Sequence, residues 1–124
     1  MRRILISINP EHVENIIKGL KKYEYRTRVA KDDIESIIVY STAPTKKVLA
    51  EVKITNILKA HPNILWEMTK DFSGITQDYY NKYFKDRKIA YAYELGEITI
   101  FDQPKELIDF GLMHAPQSYV YINF

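Results

Sequence analysis

Lys21, Lys22, Glu24, Arg26 and Arg28 fall within one short stretch of the chain. An amine, a carboxylate and a guanidinium so close together could grip an anion or move a proton. A lysine that is desolvated in a pocket, or crowded by Arg26, gives up its proton more readily and can act as base or nucleophile. Glu24 beside it would oppose this by favouring the ammonium form. Arg26 keeps its charge and its forked donors in any environment, so it suits holding a phosphate, a carbonyl oxygen or Glu24 itself. The same alternation is also that of a solvated strand face, where charge pairs have little energetic weight. Mutual distance decides between these readings.

The elements around the stretch set its geometry. Asn9 can cap a helix through its side-chain oxygen, and Pro10 suits the first helical position because its missing N–H would have had no partner there. Val13, Ile16, Ile17 and Leu20 recur at helical spacing, and Gly19 supplies the positive φ that stops the helix. The residues after Gly19 are aromatic and β-branched enough to run extended. Lys22, Glu24, Arg26 and Arg28 then share one face. Lys21, Tyr23 and Tyr25 take the other, unless the helix-to-strand turn swings Lys21 round to Glu24 and Arg26.

Elsewhere, Ile4, Ile6 and Ile8 mark a first strand with one firmly buried face, and the apolar Leu5 suggests partial cover on the other. Ile37–Thr42 reads as a strand buried on both faces. Val48, Ala50, Val52 and Ile54 alternate through a long strand able to bend across two sides of a small barrel. Ile64–Met68 suggests a short helical turn, and Thr76 a cap for a second helix. The stripe Tyr79, Tyr80, Tyr83 and Phe84 on that helix reads as core contact. Ile89–Leu95 and Glu97–Phe101 predict successive strands with a bend or bulge at Gly96. Pro104–Ile108 suggests a last short helix ended by Gly111, and Ser118–Phe124 a closing strand. Five to six strands with helices at the N-terminus and centre, and no βαβ rhythm, favour a single α+β domain over residues 1–124. Many short strands favour closure into a barrel.

Composition narrows the partners. A hydrophobic share of 46% and a charged share of 27% describe an ordinary globule rather than a disordered chain. The chain has no cysteine, so a disulfide framework is excluded and a reducing, cytoplasmic setting is expected. The basic and then apolar opening is interrupted too early for a signal peptide, and no apolar run is long enough for a membrane span. The net charge of +2 is small for a protein that neutralises many phosphates of a duplex. Its distribution is uneven: Lys18, Lys21, Lys22, Arg26, Arg28 and Lys31 face Glu24 alone between positions 18 and 31. Such a cluster could attract a phosphate-bearing ligand or could be a solvated face. His12, His61 and His114 stand far apart in sequence, without ligand spacing, so no metal and no cofactor is expected. His12 is expected at the surface, on a first helical turn whose dipole disfavours the imidazolium.

The string Gly19-x-Lys21-x-x-Glu24-x-Arg26 resembles the signature of the ASCH domain, a member of the PUA-like superfamily. The order of Ser7-Ile8-Asn9-Pro10, Tyr40-Ser41-Thr42-Ala43-Pro44, Trp66, Tyr83-Phe84, Tyr91-Ala92 and Ala115-Pro116-Gln117-Ser118 is similar to that family over nearly the whole chain. The resemblance implies a small mixed PUA-like barrel associated with RNA and modified nucleobases. Some family members are associated with amide hydrolysis on acylated cytidine, and others with RNA cleavage. The first activity is linked to a Lys with a Thr at the position matching Glu24, so this chain departs from that pattern. Asp71 or Glu67 are candidates for a third acidic position.

Three readings follow. In the first, the cleft at the barrel mouth binds a nucleotide or single-stranded RNA through Lys21, Lys22, Arg26, Gln117 and Ser118, with Trp66 for stacking. In the second, a metal-independent hydrolase acts on a modified nucleoside or RNA, with Lys21 as base or nucleophile, Glu24 as proton-transfer partner and Arg26 as anion stabiliser. In the third, Glu24 and Arg26 form a structural ion pair with no cavity beside it.

Overall fold

The computed structural model describes residues 2–30 and 33–122. Met1 of the first strand, Lys31 of the basic cluster, and Asn123 and Phe124 of the closing strand lie outside the described residues. The element order is β1 (Arg2–Ile8), α1 (Pro10–Ile17), β2 (Tyr23–Arg26), β3 (Ile34–Ser41), β4 (Lys47–Ala60), α2 (Pro62–Thr69), α3 (Gln77–Tyr83), β5 (Ala90–Lys105) and β6 (Tyr119–Ile122). Short 3-10 turns cover Lys70–Phe72 and Leu107–Phe110.

The six strands form one mixed sheet in the order β2-β5-β4-β3-β1-β6, in which β1 and β3 run parallel and the other neighbours antiparallel. The α+β class therefore stands. Hydrogen-bonded pairing does not link β2 to β6 among the described residues, so the ladder is open. It is nevertheless curled. Four inter-strand steps separate β2 from β1, about 19 Å in a flat sheet, yet a guanidinium nitrogen of Arg26 on β2 donates to the Ser7 carbonyl on β1 at 3.1 Å. An arginine spans that gap only if the sheet bends round, as in a barrel.

Strand alternation divides the core as the sequence suggests. Ile4, Ile6 and Ile8 pack with Ile37, Val39, Val52 and the buried face of α1. Leu5, fully buried, joins Ile38, Tyr40 and Val48 on the other side. A third cluster holds Tyr25, Leu65, Tyr80, Phe84, Ala90 and Ala92 beneath α2 and α3.

Several local expectations change. Asn9 occupies the cap position of α1, but its side chain makes no capping bond and its Oδ1 instead accepts from the Thr42 hydroxyl at 3.4 Å. The two strands expected around Gly96 are one 16-residue strand. Leu95 and Ile98 pair with Ile54 and Val52, so three steps on β5 oppose two on β4. The extra residue is a bulge at Gly96, where a Cβ would meet Thr55 at 2.7 Å. Pro104 lies inside β5 rather than opening a helix. It is tolerated because β2 covers only positions 91–94 of β5, leaving that end of the strand with a free side. Thr76 caps α3 by accepting from the Tyr79 N–H, as expected. His61 does the same for α2 through Nδ1 and the Asn63 N–H.

Candidate functional site

The turn after α1 brings the charged residues together. Gly19 adopts φ 78°, the Gly19 N–H donates to the Ile16 carbonyl and the Leu20 N–H to that of Asn15, which is a Schellman ending. The Lys21 N–H also donates to Asn15. From the other side, Lys22 donates its N–H to the Phe72 carbonyl, so the loop before α3 is clamped on this turn. Gly74 sits against Lys21 so closely that a Cβ there would lie 2.4 Å from the Lys21 Cβ, and its φ is +68°. At Gly19, also at positive φ, nothing lies within 4 Å of the corresponding position. We therefore expect Gly74→Ala to cost about 2 kcal/mol from backbone strain and crowding together, and Gly19→Ala about 1 kcal/mol from strain alone. Urea unfolding of the two variants checks the order.

Lys21 is only 3% exposed. Its Nζ donates to the Ser73 carbonyl at 3.0 Å and lies 4.8 Å from the centre of the Tyr25 ring. Burial holds its pKa below the usual lysine range, Glu24 opposes that shift and Arg26 adds to it. Glu24 is likewise buried, and one of its carboxylate oxygens accepts from Arg26 Nε at 2.9 Å and from a second guanidinium nitrogen at 2.8 Å.

Lys21, Glu24 and Arg26 line one cavity of about 180 Å³, open to solvent between β1, β2, α1 and α3. The ion pair and the cavity thus coexist. His12, Tyr79 and Tyr83 also line its wall. Burial and the neighbouring Lys21 lower the pKa of His12, and burial raises that of Tyr83. The Tyr25 hydroxyl is pushed up to about 12, chiefly by burial, and bonds Thr69 Oγ1 at 2.7 Å. Because that threonine donates to the Leu65 carbonyl, Tyr25 is the donor between them.

The other residues singled out in the sequence stand apart from this cavity. Lys22 lies over the Phe72 ring at 4.3 Å. Trp66 belongs to the α2–α3 core, 4.8 Å from the Tyr80 ring, so its indole is not at the cavity. Gln117 and Ser118 are exposed and do not line it, although the adjoining Pro116 carbonyl accepts from the Ser7 hydroxyl at 2.8 Å. Glu67 pairs with Lys70, and Asp71 is exposed; neither lines the cavity. His12 is a half-buried wall residue rather than the surface residue expected. The aromatic stripe splits: Tyr80 and Phe84 are core, whereas Tyr79 and Tyr83, 46% and 39% exposed, flank the cavity. Among the described residues no group of His, Cys, Asp or Glu is placed to hold a metal, and no helix is long and apolar enough to cross a membrane.

The family model for the ASCH domain matches residues 6–99, which hold the first helix, the charged turn and the bulge of β5. The chain belongs to the ASCH domain family. Within it, this ASCH domain is 27% identical over 97 residues to an ASCH domain-containing ribonuclease of Zymomonas mobilis, across 77% of this chain and 66% of that protein. It is also 27% identical over 121 residues to a protein of Ureaplasma parvum named ATP synthase subunit alpha, across 97% of this chain but 15% of that protein. The chain therefore spans only a small part of that relative. The crystal structure of ASCH from Zymomonas mobilis superposes with a TM-score of 0.89 at 25% identity, covering 98% of this chain and 87% of that one.

Proposed function

We propose that this ASCH domain binds single-stranded RNA or a nucleotide by taking one base into the cavity between α1, α3 and β2. The observation that carries the reading is the pairing of two half-exposed tyrosine rings, Tyr79 and Tyr83, with the buried Lys21 and Glu24 and the partly buried Arg26 on one small hollow. Aromatic faces stack on an unpaired base, and fixed polar groups read its edge. A cavity of 180 Å³ is smaller than the roughly 300 Å³ at which sites for drug-sized ligands begin, and apolar cavities of about 150 Å³ hold a benzene ring. One ring fits; a whole nucleotide does not. The ribonuclease name of the relative from Zymomonas mobilis supports an RNA ligand.

Tyr83→Ala is expected to weaken single-stranded RNA binding by about tenfold, within the range of one lost base–aromatic stack. Duplex RNA, whose bases are not available, should bind poorly to both proteins. Titration of the full chain with labelled RNA at low salt tests this, and no binding of RNA, nucleotides or nucleosides under those conditions would rule the reading out.

The lowered pKa of Lys21 favours a second reading, in which the same site hydrolyses its RNA or modified-nucleoside ligand. Lys21 as free amine would accept the proton of the attacking group, Glu24 would pass a proton onward, and Arg26 would stabilise the developing anion. Appearance of cleaved product separates this reading from binding alone.

A further inference from the structure

The wall formed by His12, Ile75 and Tyr79 is shared. Beyond it lies a second recess of about 370 Å³, also lined by Glu11, Gly74 and Thr76. The two hollows meet at the imidazole. His12 Nδ1 is the one buried side-chain polar atom among the described residues that has no hydrogen-bond partner. An imidazolium would place a second N–H at that closed position, so the ring is held neutral. The ring is half-buried and packs edge-on against Tyr79, with centroids 5.5 Å apart. With Nδ1 shut in, the opposite edge, which carries Nε2, is the one left to meet a ligand.

The chemistry of this second recess differs from that of the first. Its acidic side chain is Glu11, and its other polar side chains are the His12 imidazole, the Thr76 hydroxyl and the phenol of Tyr79. A phosphate would meet a like charge and no cation there. A hydroxyl suits this pair, because it can donate its one proton to the Glu11 carboxylate while accepting from Nε2–H, the tautomer that leaves the closed Nδ1 without a proton. Carboxylates serve in this way on ribose hydroxyls elsewhere.

We propose that the recess between α1 and α3 is a ribose subsite, in which His12 Nε2 and Glu11 hold the 2′-hydroxyl of the nucleotide whose base occupies the neighbouring cavity. This rests on the base-binding reading above. It gives the site selectivity for ribose over deoxyribose, since the 2′-hydroxyl is what distinguishes RNA from DNA at such a contact.

The test uses the full chain with a short single-stranded RNA and its deoxyribose counterpart carrying uracil, so that the two differ only at the 2′ position. The wild-type protein should bind the RNA about tenfold more tightly, the scale of one or two hydrogen bonds. His12→Phe should bring the ratio close to one, and His12→Gln, which returns a polar group near the Nε2 position, should restore most of it. Because His12→Phe also removes an unpartnered buried nitrogen, its melting temperature should be no lower than that of the wild type. Equal wild-type affinity for the two strands would overturn the subsite, without need of any variant, and leave the base cavity standing. A full RNA preference in His12→Phe would overturn it as well. Binding of neither strand would instead remove the base-binding reading and the subsite with it.

Discussion

Lys21→Met is expected to lower any RNA or nucleoside hydrolysis at this site by about two to four orders of magnitude, the usual worth of a positioned acid or base. Methionine keeps the unbranched Cβ and Cγ that lie beside Gly74, so that packing survives, but it cannot accept a proton. Lys21→Arg should not restore turnover, because a guanidinium stays charged at any working pH. The wild-type rate should rise with pH through the lowered pKa of Lys21, since only the free amine is a base. Glu24, Arg26, His12 and the Tyr25 ring all face this amine, and only Glu24 among them raises its pKa.

Stability should follow the same titration with a definite sign. Between the folded-state pKa of Lys21 and the ordinary lysine value the unfolded chain holds more protons, so unfolding free energy rises with pH across that window. Lys21→Met should lack this rise. Single-turnover rates across the pH range, together with urea unfolding at neutral and alkaline pH, check both statements. Wild-type turnover in Lys21→Met would show that Lys21 is not the base and leave binding as the role of the site.

The contrast between legible and hidden parts of this site has a physical origin. Pro10 at the helix start and Gly19 at its end act on their own backbone, and so their effects could be read locally. The meeting of Lys21 with Glu24 and Arg26 depends on one tight turn, and the sequence offered it as one of two outcomes. His12, Tyr79 and Tyr83 converge only because α3 returns across the start of α1, a contact between segments more than sixty residues apart. Periodicity marks Tyr79, Tyr80, Tyr83 and Phe84 as one stripe. It does not show that the stripe is wider than the core it covers, leaving Tyr79 and Tyr83 at the edge. Gly96 is similar: an interruption was visible, but a bulge is defined by the count on the partner strand.

Glu24→Ala is expected to destabilise the fold by about 3 kcal/mol, because it strands the partly buried Arg26 guanidinium without its counter-charge. The two side chains are 7% and 17% exposed. Two guanidinium nitrogens converge on one carboxylate oxygen, and the remaining contact to the Ser7 carbonyl cannot neutralise the charge. In a domain of this size the loss corresponds to a fall of about 10 °C in melting temperature. Glu24→Gln keeps an acceptor at the same place and should lose about half as much. Adding Arg26→Met to Glu24→Ala should recover part of the stability, since the orphaned charge goes with it, and the double-mutant cycle measures that coupling directly. A cycle with no coupling would mean that the pair is dispensable and that β2 is held by its pairing with β5 alone. Removing Glu24 also removes the influence that raises the pKa of Lys21. At moderate temperature, where Glu24→Gln stays folded, the pH–rate curve should therefore move to lower pH than in the wild type. A curve displaced to higher pH would contradict the electrostatic coupling of the two residues.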